Sequence, residues 1–213
     1  MDLKMVALSI SKEELSELPT VVYPGEIIVI NTADEAKAAL EVIRGYSVIG
    51  FDTETKPSFK KGYTNKVALI QIATADACYL FRINKFGLTD EIVNLFEDTN
   101  VVKVGLSLRD DYMVMHKSRP FDHENFVELQ NFVRNYGIAD SSLQKIYGIV
   151  FNGRISKGQR LSNWEAETLS PSQQMYAAID AWACLKIYQS LTSNEFDMEN
   201  SPYIKEVHSA GEE

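Results

Sequence analysis

The chain has 213 residues, of which 45% are hydrophobic and 24% are charged, and its formal net charge is -9. This length suits one well-buried domain, and the acidic balance argues against a protein that coats nucleic acid nonspecifically. No apolar run approaches the roughly eighteen residues of a membrane span, and the first residues lack the pattern of a signal peptide. Because Cys78 and Cys184 also lie in apolar runs, we expect a cytoplasmic protein with reduced cysteines and no membrane partner.

We expect residues 1–47 to form an N-terminal segment that packs on the core. It contains a capped helical turn at 11–14, a short strand at 26–30 and a helix at 33–43 whose apolar positions recur at helical spacing. A buried strand follows from residue 48.

Asp52 and Glu54 close this strand. Residues two apart on a strand point to the same side, so the two carboxylates project together. Like charges this close need a positive partner, and a hard divalent cation takes oxygen ligands. Taken alone, the pair fits an acidic turn as well as it fits a metal site.

The remaining elements follow with turn signals between them. The predicted strands lie at 67–73, 78–83 and 101–106, and the predicted helices lie at 88–96, 109–117, 141–147 and 171–191. A short polar link joins the strands at 67–73 and 78–83, so they form an antiparallel meander with the strand before them. Residues 126–129 fit either a fifth strand or the start of a helix, and residues 193–213 predict a loose acidic tail.

Two further carboxylates stand where chemistry could use them. Asp111 lies at the start of the helix after the fourth strand, where Asp110 and Asp111 also fit simple helix capping. Asp180 lies in an apolar stretch of the last helix, a poor place for an unpaired charge. Tyr176 is four residues earlier and therefore on the same helix face, so a structural Tyr–Asp pair is the alternative to a functional one.

The order of these residues resembles the DEDD exonuclease superfamily, in the tyrosine-bearing branch that holds ribonuclease D and the exonuclease domain of the Werner helicase. The three motifs are Phe51-Asp52-Thr53-Glu54, Lys103-Val104-Gly105 through to Asp111, and Tyr176-Ala177-Ala178-Ile179-Asp180-Ala181. Ser162-Asn163-Trp164, upstream of the last helix, resembles the same branch. The resemblance covers roughly residues 48 to 191, so we assign an exonuclease domain to residues 48–192.

This resemblance implies an α/β, ribonuclease H-like fold with a five-stranded mixed sheet flanked by helices. It implies a metal-dependent 3′-5′ exonuclease that binds the 3′ end of DNA or RNA and releases nucleoside 5′-monophosphates. Two divalent cations, Mg²⁺ or Mn²⁺, are expected as cofactors. By motif, Asp52 holds both ions, Glu54 and Asp180 hold the first, Asp111 holds the second, and Tyr176 orients the attacking water.

The chain departs from the family pattern at two places. The doublet at residues 110–111 leaves the second-motif ligand open by one position, and the spacing from Gly105 favours Asp111. The other branch of the superfamily carries a His five residues before the last Asp, whereas this chain has Met175 there. Histidine is therefore not expected to act as the base.

Basic residues cluster in two acid-free stretches that flank the first and third motifs. Their lysines and arginines, with an aromatic ring that could stack on a base, are candidates for substrate binding, although solvated loops are the usual meaning of such residues. With Asn163 and Trp164, the candidate substrate-binding set is Lys56, Phe59, Lys60, Lys61, Arg154, Lys157 and Arg160.

Two rival functions follow from the same residues. A catalytically weak nuclease fold that serves as a nucleic-acid-binding module predicts a lost ligand, and none of the four carboxylates is missing. Another class of metal phosphoesterase would show His-Asp clusters, which His116, His123 and His208 do not match in spacing.

Overall fold

The computed structural model describes residues 5–60, 62 and 64–207. The strands within these residues are β1 (Met5–Leu8), β2 (Glu26–Ile30), β3 (Val48–Thr55), β4 (Val67–Ala73), β5 (Ala77–Phe81), β6 (Val102–Gly105), β7 (Phe126–Glu128) and β8 (Ile204–Val207). The helices are α1 (Lys12–Glu17), α2 (Ala33–Ile43), α3 (Ile83–Phe86), α4 (Asp90–Phe96), α5 (Leu108–His116), α6 (Leu129–Phe132), α7 (Leu143–Phe151) and α8 (Pro171–Thr192), with a 3₁₀ helix at Val133–Tyr136. None of the described helices has the length and apolar character needed to cross a bilayer.

A mixed sheet forms the centre of the fold, with strands in the order β2-β5-β4-β3-β6-β7. Antiparallel pairing joins β3 to β4 and β4 to β5, so the predicted meander is confirmed. The pairs β2–β5, β3–β6 and β6–β7 are parallel. The sheet has six strands where five were predicted, because β2, which we assigned to the N-terminal segment, pairs along its whole length with β5.

Helices cover both faces of this sheet, as predicted. On one face α2, α4 and α5 pack against apolar side chains that include Phe51 and Ile70. On the other face α7 and α8 pack against side chains that include Leu69 and Val104. The predicted last helix is confirmed as α8, which begins at Pro171 after a capping box between Ser170 and Gln173. Because α8 is buried on most of its surface, its apolar residues encircle it rather than forming one stripe.

The uncertain segment at residues 126–129 contains both predicted alternatives in turn. Its first three residues form β7, and α6 begins at Leu129. The helix predicted at 141–147 begins two residues later and continues to Phe151, where Asn152 ends it in a left-handed conformation with φ of 53°.

The C-terminal segment departs from the prediction of a loose tail. β8 pairs antiparallel with β1, and Tyr203 is buried and donates its hydroxyl to Asn152 Oδ1 at 2.7 Å. The apolar pattern of residues 193–207 is weak because a four-residue strand paired with the chain start needs few buried side chains. Residues 208–213 of the predicted tail lie outside the described residues.

Candidate active site

β3 presents the first two carboxylates to α8. Every second residue of this strand lies on the face that meets the helix, and these residues include Gly50, Asp52 and Glu54. A Cβ atom at Gly50 would lie 2.0 Å from the carbonyl oxygen of Ala181, which no side chain could occupy. Because Gly50 has no side chain, the α8 backbone can approach β3 closely at Ala181. This close approach brings Asp180, the preceding residue, next to the strand.

Asp180 completes a triad of carboxylates with Asp52 and Glu54. One carboxylate oxygen from each of these residues lies within 4.8 Å of the others. Asp180 is only 6% exposed, and its Oδ1 is buried without a hydrogen-bond partner among the described residues. A buried, unpartnered carboxylate oxygen is costly, so this arrangement requires a further polar or cationic group. Three hard oxygen donors with this spacing fit a divalent cation such as Mg²⁺.

Asp111, on the first turn of α5, is not among the carboxylates that meet within 4.8 Å, although its charge acts on Asp52 and Glu54. The Thr53 hydroxyl, between the two β3 carboxylates in sequence, donates a hydrogen bond to Asp111 Oδ1. Asp110 is exposed on the same turn, which favours Asp111 as the partner of the triad. Asp111 reaches β3 because β6 ends at Gly105, where a Cβ atom would lie 2.4 Å from Leu108 and 2.9 Å from the Phe51 carbonyl oxygen.

Burial and mutual repulsion hold protons on these carboxylates. Burial, with the charges of Asp180 and Asp111, raises the pKa of Glu54 to about 9, and Arg160 partly opposes this shift. Burial raises the pKa of Asp180 to about 7 and that of Asp111 to about 7. The pKa of Asp52 lies well above its ordinary value for the same two reasons. Without a positive partner the cluster is therefore largely protonated at neutral pH, and a bound cation would favour its fully ionised form.

The stability of the cation-free protein should accordingly fall as pH rises. These carboxyl groups have unfolded pKa values of about 4, so between about pH 4 and pH 9 the folded state binds more protons than the unfolded state. For each group, the free energy of unfolding falls by about 1.4 kcal/mol for every pH unit between its unfolded and its folded pKa. Thermal melts in EDTA should show a lower melting temperature at pH 8.5 than at pH 6, and added Mg²⁺ should stabilise more at pH 8.5. A melting temperature in EDTA that rises over this interval would contradict the electrostatic picture.

Tyr176 lies one turn before Asp180 on α8, beside the triad. Burial and the charges of Asp180, Glu54 and Asp52 raise the pKa of its hydroxyl, which therefore stays protonated at neutral pH. Its ring packs near the buried Trp164 ring, with centroids 6.0 Å apart. Met175, the position of the histidine in the other branch, instead accepts a hydrogen bond on its sulfur from the Tyr23 amide at 3.2 Å.

A cavity of about 430 Å³ opens at the triad. Tyr176, Lys157 and Arg160 line it together with the three carboxylates. A larger cavity of about 620 Å³, between Lys66 and Arg119, contains none of the four carboxylates. The smaller cavity is therefore the candidate active site.

Several polar residues that the sequence analysis missed lie at the site. Ser107, Gln130, Ser141 and Gln144 line the same cavity. Their sequence signal was only that of turns and helix caps, which does not separate them from ordinary surface residues. Gln71 is directly opposite Asp52 in the β3–β4 register and fully buried, and its side-chain amide has no partner among the described residues.

The other candidate substrate-binding residues in the described part of the chain do not line the cavity at the triad. Lys56 forms an ion pair with Glu165 at 3.4 Å, and Lys60 and Phe59 are exposed, Phe59 to 93%. Arg154 donates to the Thr20 hydroxyl at 2.9 Å. Arg154 lines a neighbouring cavity of about 340 Å³. Lys157 and Gln144 line both this cavity and the one at the triad. Lys61 lies outside the described residues.

Asn163 and Trp164 hold the segment before α8 rather than facing the cavity. The Asn163 side-chain oxygen accepts a hydrogen bond from the Glu165 amide at 3.2 Å, and Gln173 donates to its backbone carbonyl at 3.3 Å. Trp164 is fully buried, so the prediction that it contacts substrate is corrected to a packing role behind Tyr176. Its indole N–H has no hydrogen-bond partner among the described residues, so the contacts that hold the ring are packing contacts.

His116 and His123, the histidines within the described residues, lie apart from the carboxylates. His123 stacks on Tyr112 with centroids 4.2 Å apart, and His116 packs edge-on against Phe121 at 4.4 Å. His208 is outside the described part of the chain. Neither described histidine lines the cavity at the triad.

Comparison with known proteins identifies the family of this chain. Residues 27–194 match the family model described as 3′-5′ exonuclease. The chain is 31% identical over 190 residues to the bifunctional 3′-5′ exonuclease/ATP-dependent helicase WRN of Mus musculus, covering 82% of this chain and 13% of that protein. It is 29% identical over 207 residues to a 3′-5′ exonuclease of Arabidopsis thaliana, covering 85% of this chain and 69% of that protein.

The fold also matches a solved structure. The crystal structure of the Aedes aegypti Nibbler EXO domain superposes with a TM-score of 0.72 at 23% identity, covering 84% of this chain and 96% of that chain. This likeness confirms the predicted ribonuclease H-like architecture, with six strands in place of five. The chain spans only a small part of the mouse protein that it resembles.

Proposed function

The chain belongs to the 3′-5′ exonuclease family, and from this premise we propose that it hydrolyses nucleic acid from the 3′ end and releases nucleoside 5′-monophosphates. The observation that carries the proposal is the meeting of Asp52, Glu54 and Asp180 in one open cavity, with a buried carboxylate oxygen that lacks a partner among the described residues. A purely structural acidic turn would not gather a third carboxylate from a helix 126 residues further along the chain.

The four carboxylates are proposed to hold two divalent cations, Mg²⁺ or Mn²⁺. Asp52, Glu54 and Asp180 would hold the first, and Asp52 and Asp111 would hold the second. Bound there, the pair would make a water more acidic and stabilise the attacking and leaving oxygens of an in-line displacement. Thr53 supports this assignment because its hydrogen bond fixes the Asp111 carboxylate beside β3.

Tyr176 is proposed to orient the attacking water. Its raised pKa keeps the hydroxyl protonated, so it serves as a hydrogen-bonding group and not as a base. The ring packing against Trp164 supports this role because it restricts the direction in which the hydroxyl points. The carboxylates are then the groups available to accept a proton.

Lys157 and Arg160 are proposed to bind the phosphates of the substrate strand. Both are exposed and both line the cavity at the triad, where the other charged side chains are carboxylates. The positive charges offset the repulsion between a polyanion and this acidic cluster, and Arg160 already acts on Glu54. The exposed Phe59 and Lys60, in the loop after β3, remain candidates for a second contact with the strand.

Replacing both cavity residues, as Lys157→Ala with Arg160→Ala, should raise KM much more than it lowers kcat. The salt dependence of kcat/KM should also flatten by about one unit of slope for each lost phosphate contact. Lys37→Ala is the matched control, since Lys37 is exposed on α2, which packs on the other face of the sheet. Steady-state rates over a series of salt concentrations measure both quantities. An unchanged salt slope would return these two residues to the class of ordinary solvated side chains.

The function itself is tested by incubating the protein with 5′-labelled single strands and duplexes of DNA and of RNA. A 3′-5′ exonuclease yields a ladder that shortens from the 3′ end in Mg²⁺ or Mn²⁺ and none in excess EDTA. Rapid cleavage in EDTA would contradict the metal-dependent reaction. Strand binding without any shortening in either metal would instead support the nucleic-acid-binding module. The assay also decides between the two sugars.

A cytoplasmic location stays a proposal that rests on two buried, free cysteines.

A further inference from the structure

The N-terminus of α5 is capped by a residue from β7, which lies later in the chain. Ser107 precedes α5 in a left-handed conformation, with φ of 65°, and its side chain makes no capping hydrogen bond within the described structure. Glu128, the last residue of β7, takes this role. Its Oε1 accepts from the Ser107 amide at 3.0 Å and its Oε2 accepts from the Leu108 amide at 2.9 Å. A single carboxylate thus binds the N–H groups of the residue that caps the helix and of the first helical residue.

The strand register explains how Glu128 reaches this turn. β6 and β7 pair in parallel, with Glu128 directly opposite Gly105, the residue at which β6 ends. The carboxylate therefore lies beside the turn that leads from β6 into α5. Glu128 Oε1 also accepts from the Gln130 amide at 3.1 Å, which holds the carboxylate in place at its own strand end.

Gln130 extends this network to the cavity wall. Its side-chain amide donates to the Ser107 hydroxyl at 3.2 Å and to the Ser141 carbonyl at 3.0 Å. Ser107, Gln130 and Ser141 all line the cavity at the triad. The turn before α5 is thereby tied both to β7 and to the segment before α7.

Asp111 depends on this turn for its position. It is three residues after Leu108, so the direction in which α5 leaves the turn sets where its carboxylate lies. The Thr53 hydroxyl holds only the end of the side chain. Glu128 and Thr53 therefore fix Asp111 from two sides, one through the backbone and one through the carboxylate.

We propose that Glu128 is a positioning residue for Asp111, which keeps that carboxylate at the second cation site and acts through α5 without itself contacting a cation or the substrate. This inference rests on the proposed function, because the second cation site is part of that proposal. Residues that orient metal ligands typically contribute 10-fold to 100-fold in metal affinity or activity, and we expect an effect of about this size.

The test measures Mn²⁺ binding to the full chain without substrate, by electron paramagnetic resonance, alongside the rate as a function of Mn²⁺ concentration. Glu128→Ala should weaken the weaker Mn²⁺ site by about tenfold or more and leave the tighter site nearly unchanged. The Mn²⁺ concentration for half-maximal rate should rise by a similar factor, while KM for the strand at saturating Mn²⁺ changes little. Glu124→Gln is the control, an exposed carboxylate four residues earlier that should leave both sites unaltered.

Other outcomes discriminate further. A lower melting temperature with unchanged Mn²⁺ affinity would reduce Glu128 to a structural cap and overturn the proposal. If Glu128→Ala does not fold, the isosteric Glu128→Gln, which keeps one acceptor oxygen, should show the same effect in smaller measure. If the wild-type chain degrades no strand, the proposed function fails, yet the Mn²⁺ titration still tests the positioning of Asp111.

Discussion

Asp52→Asn is expected to abolish turnover while leaving a folded protein. Asp52 is the carboxylate shared by both proposed cation sites, and it lies in the triad with Glu54 and Asp180. Its loss should exceed the roughly 10²–10³-fold reduction in kcat that follows removal of one preorganised electrostatic contact. Single-turnover rates on a 5′-labelled strand measure the effect without interference from product release.

The same variant should change stability in a direction that a folding defect would not. In EDTA at pH 8, replacing one of several mutually repelling, half-buried carboxylates by a neutral amide should raise the melting temperature. The stabilisation that Mg²⁺ gives the wild type should shrink at the same time. Asp110→Asn is a matched control, because that carboxylate is exposed beside Asp111 and should leave both rate and stability nearly unaltered. A variant of Asp52 that cuts at close to the normal rate would show that the pair is only a strand-end turn.

The parts of the site that could be predicted depend on short-range geometry. A strand places Asp52 and Glu54 on one side whatever surrounds it, and a helix places Tyr176 one turn from Asp180. The apolar neighbours of Asp180 in the sequence likewise predict that its charge is buried. These residues were therefore expected at one site, and the structure brings Asp52, Glu54 and Asp180 within 4.8 Å.

The parts that could not be predicted depend on partners distant in sequence. β2 joins the central sheet through parallel pairing with β5, which no local pattern encodes. Lys56, expected beside a phosphate, pairs with Glu165 more than a hundred residues later. Glu128 caps a helix that begins twenty residues before it. A tryptophan near a motif predicts a stacking surface and a core residue equally well, and packing decided for the core at Trp164.

Tyr176→Phe should separate the chemistry of the hydroxyl from the packing of the ring. The phenyl ring can still pack near Trp164, so the fold and the cavity should be retained. If the hydroxyl orients the attacking water, kcat should fall by roughly the 10²–10⁴-fold typical for loss of a positioned proton-transfer group. KM and the stabilisation by Mg²⁺ should stay close to the wild-type values, because neither depends on the hydroxyl.

The rival interpretation makes Tyr176 a structural partner of Asp180, since its hydroxyl lowers the pKa that burial raises in that carboxyl. Loss of the hydroxyl would then cost about 1–3 kcal/mol of unfolding free energy and leave the rate nearly intact. Tyr188→Phe controls for the general effect of removing a hydroxyl from α8, because Tyr188 packs against Phe132, with centroids 4.9 Å apart, and does not line the cavity. Melting temperature and single-turnover rate, measured on both variants, distinguish the two interpretations. A destabilised Tyr176→Phe that still cuts at a near-normal rate would exclude the water-orienting role, whereas a stable variant that cuts slowly would assign the hydroxyl to the reaction.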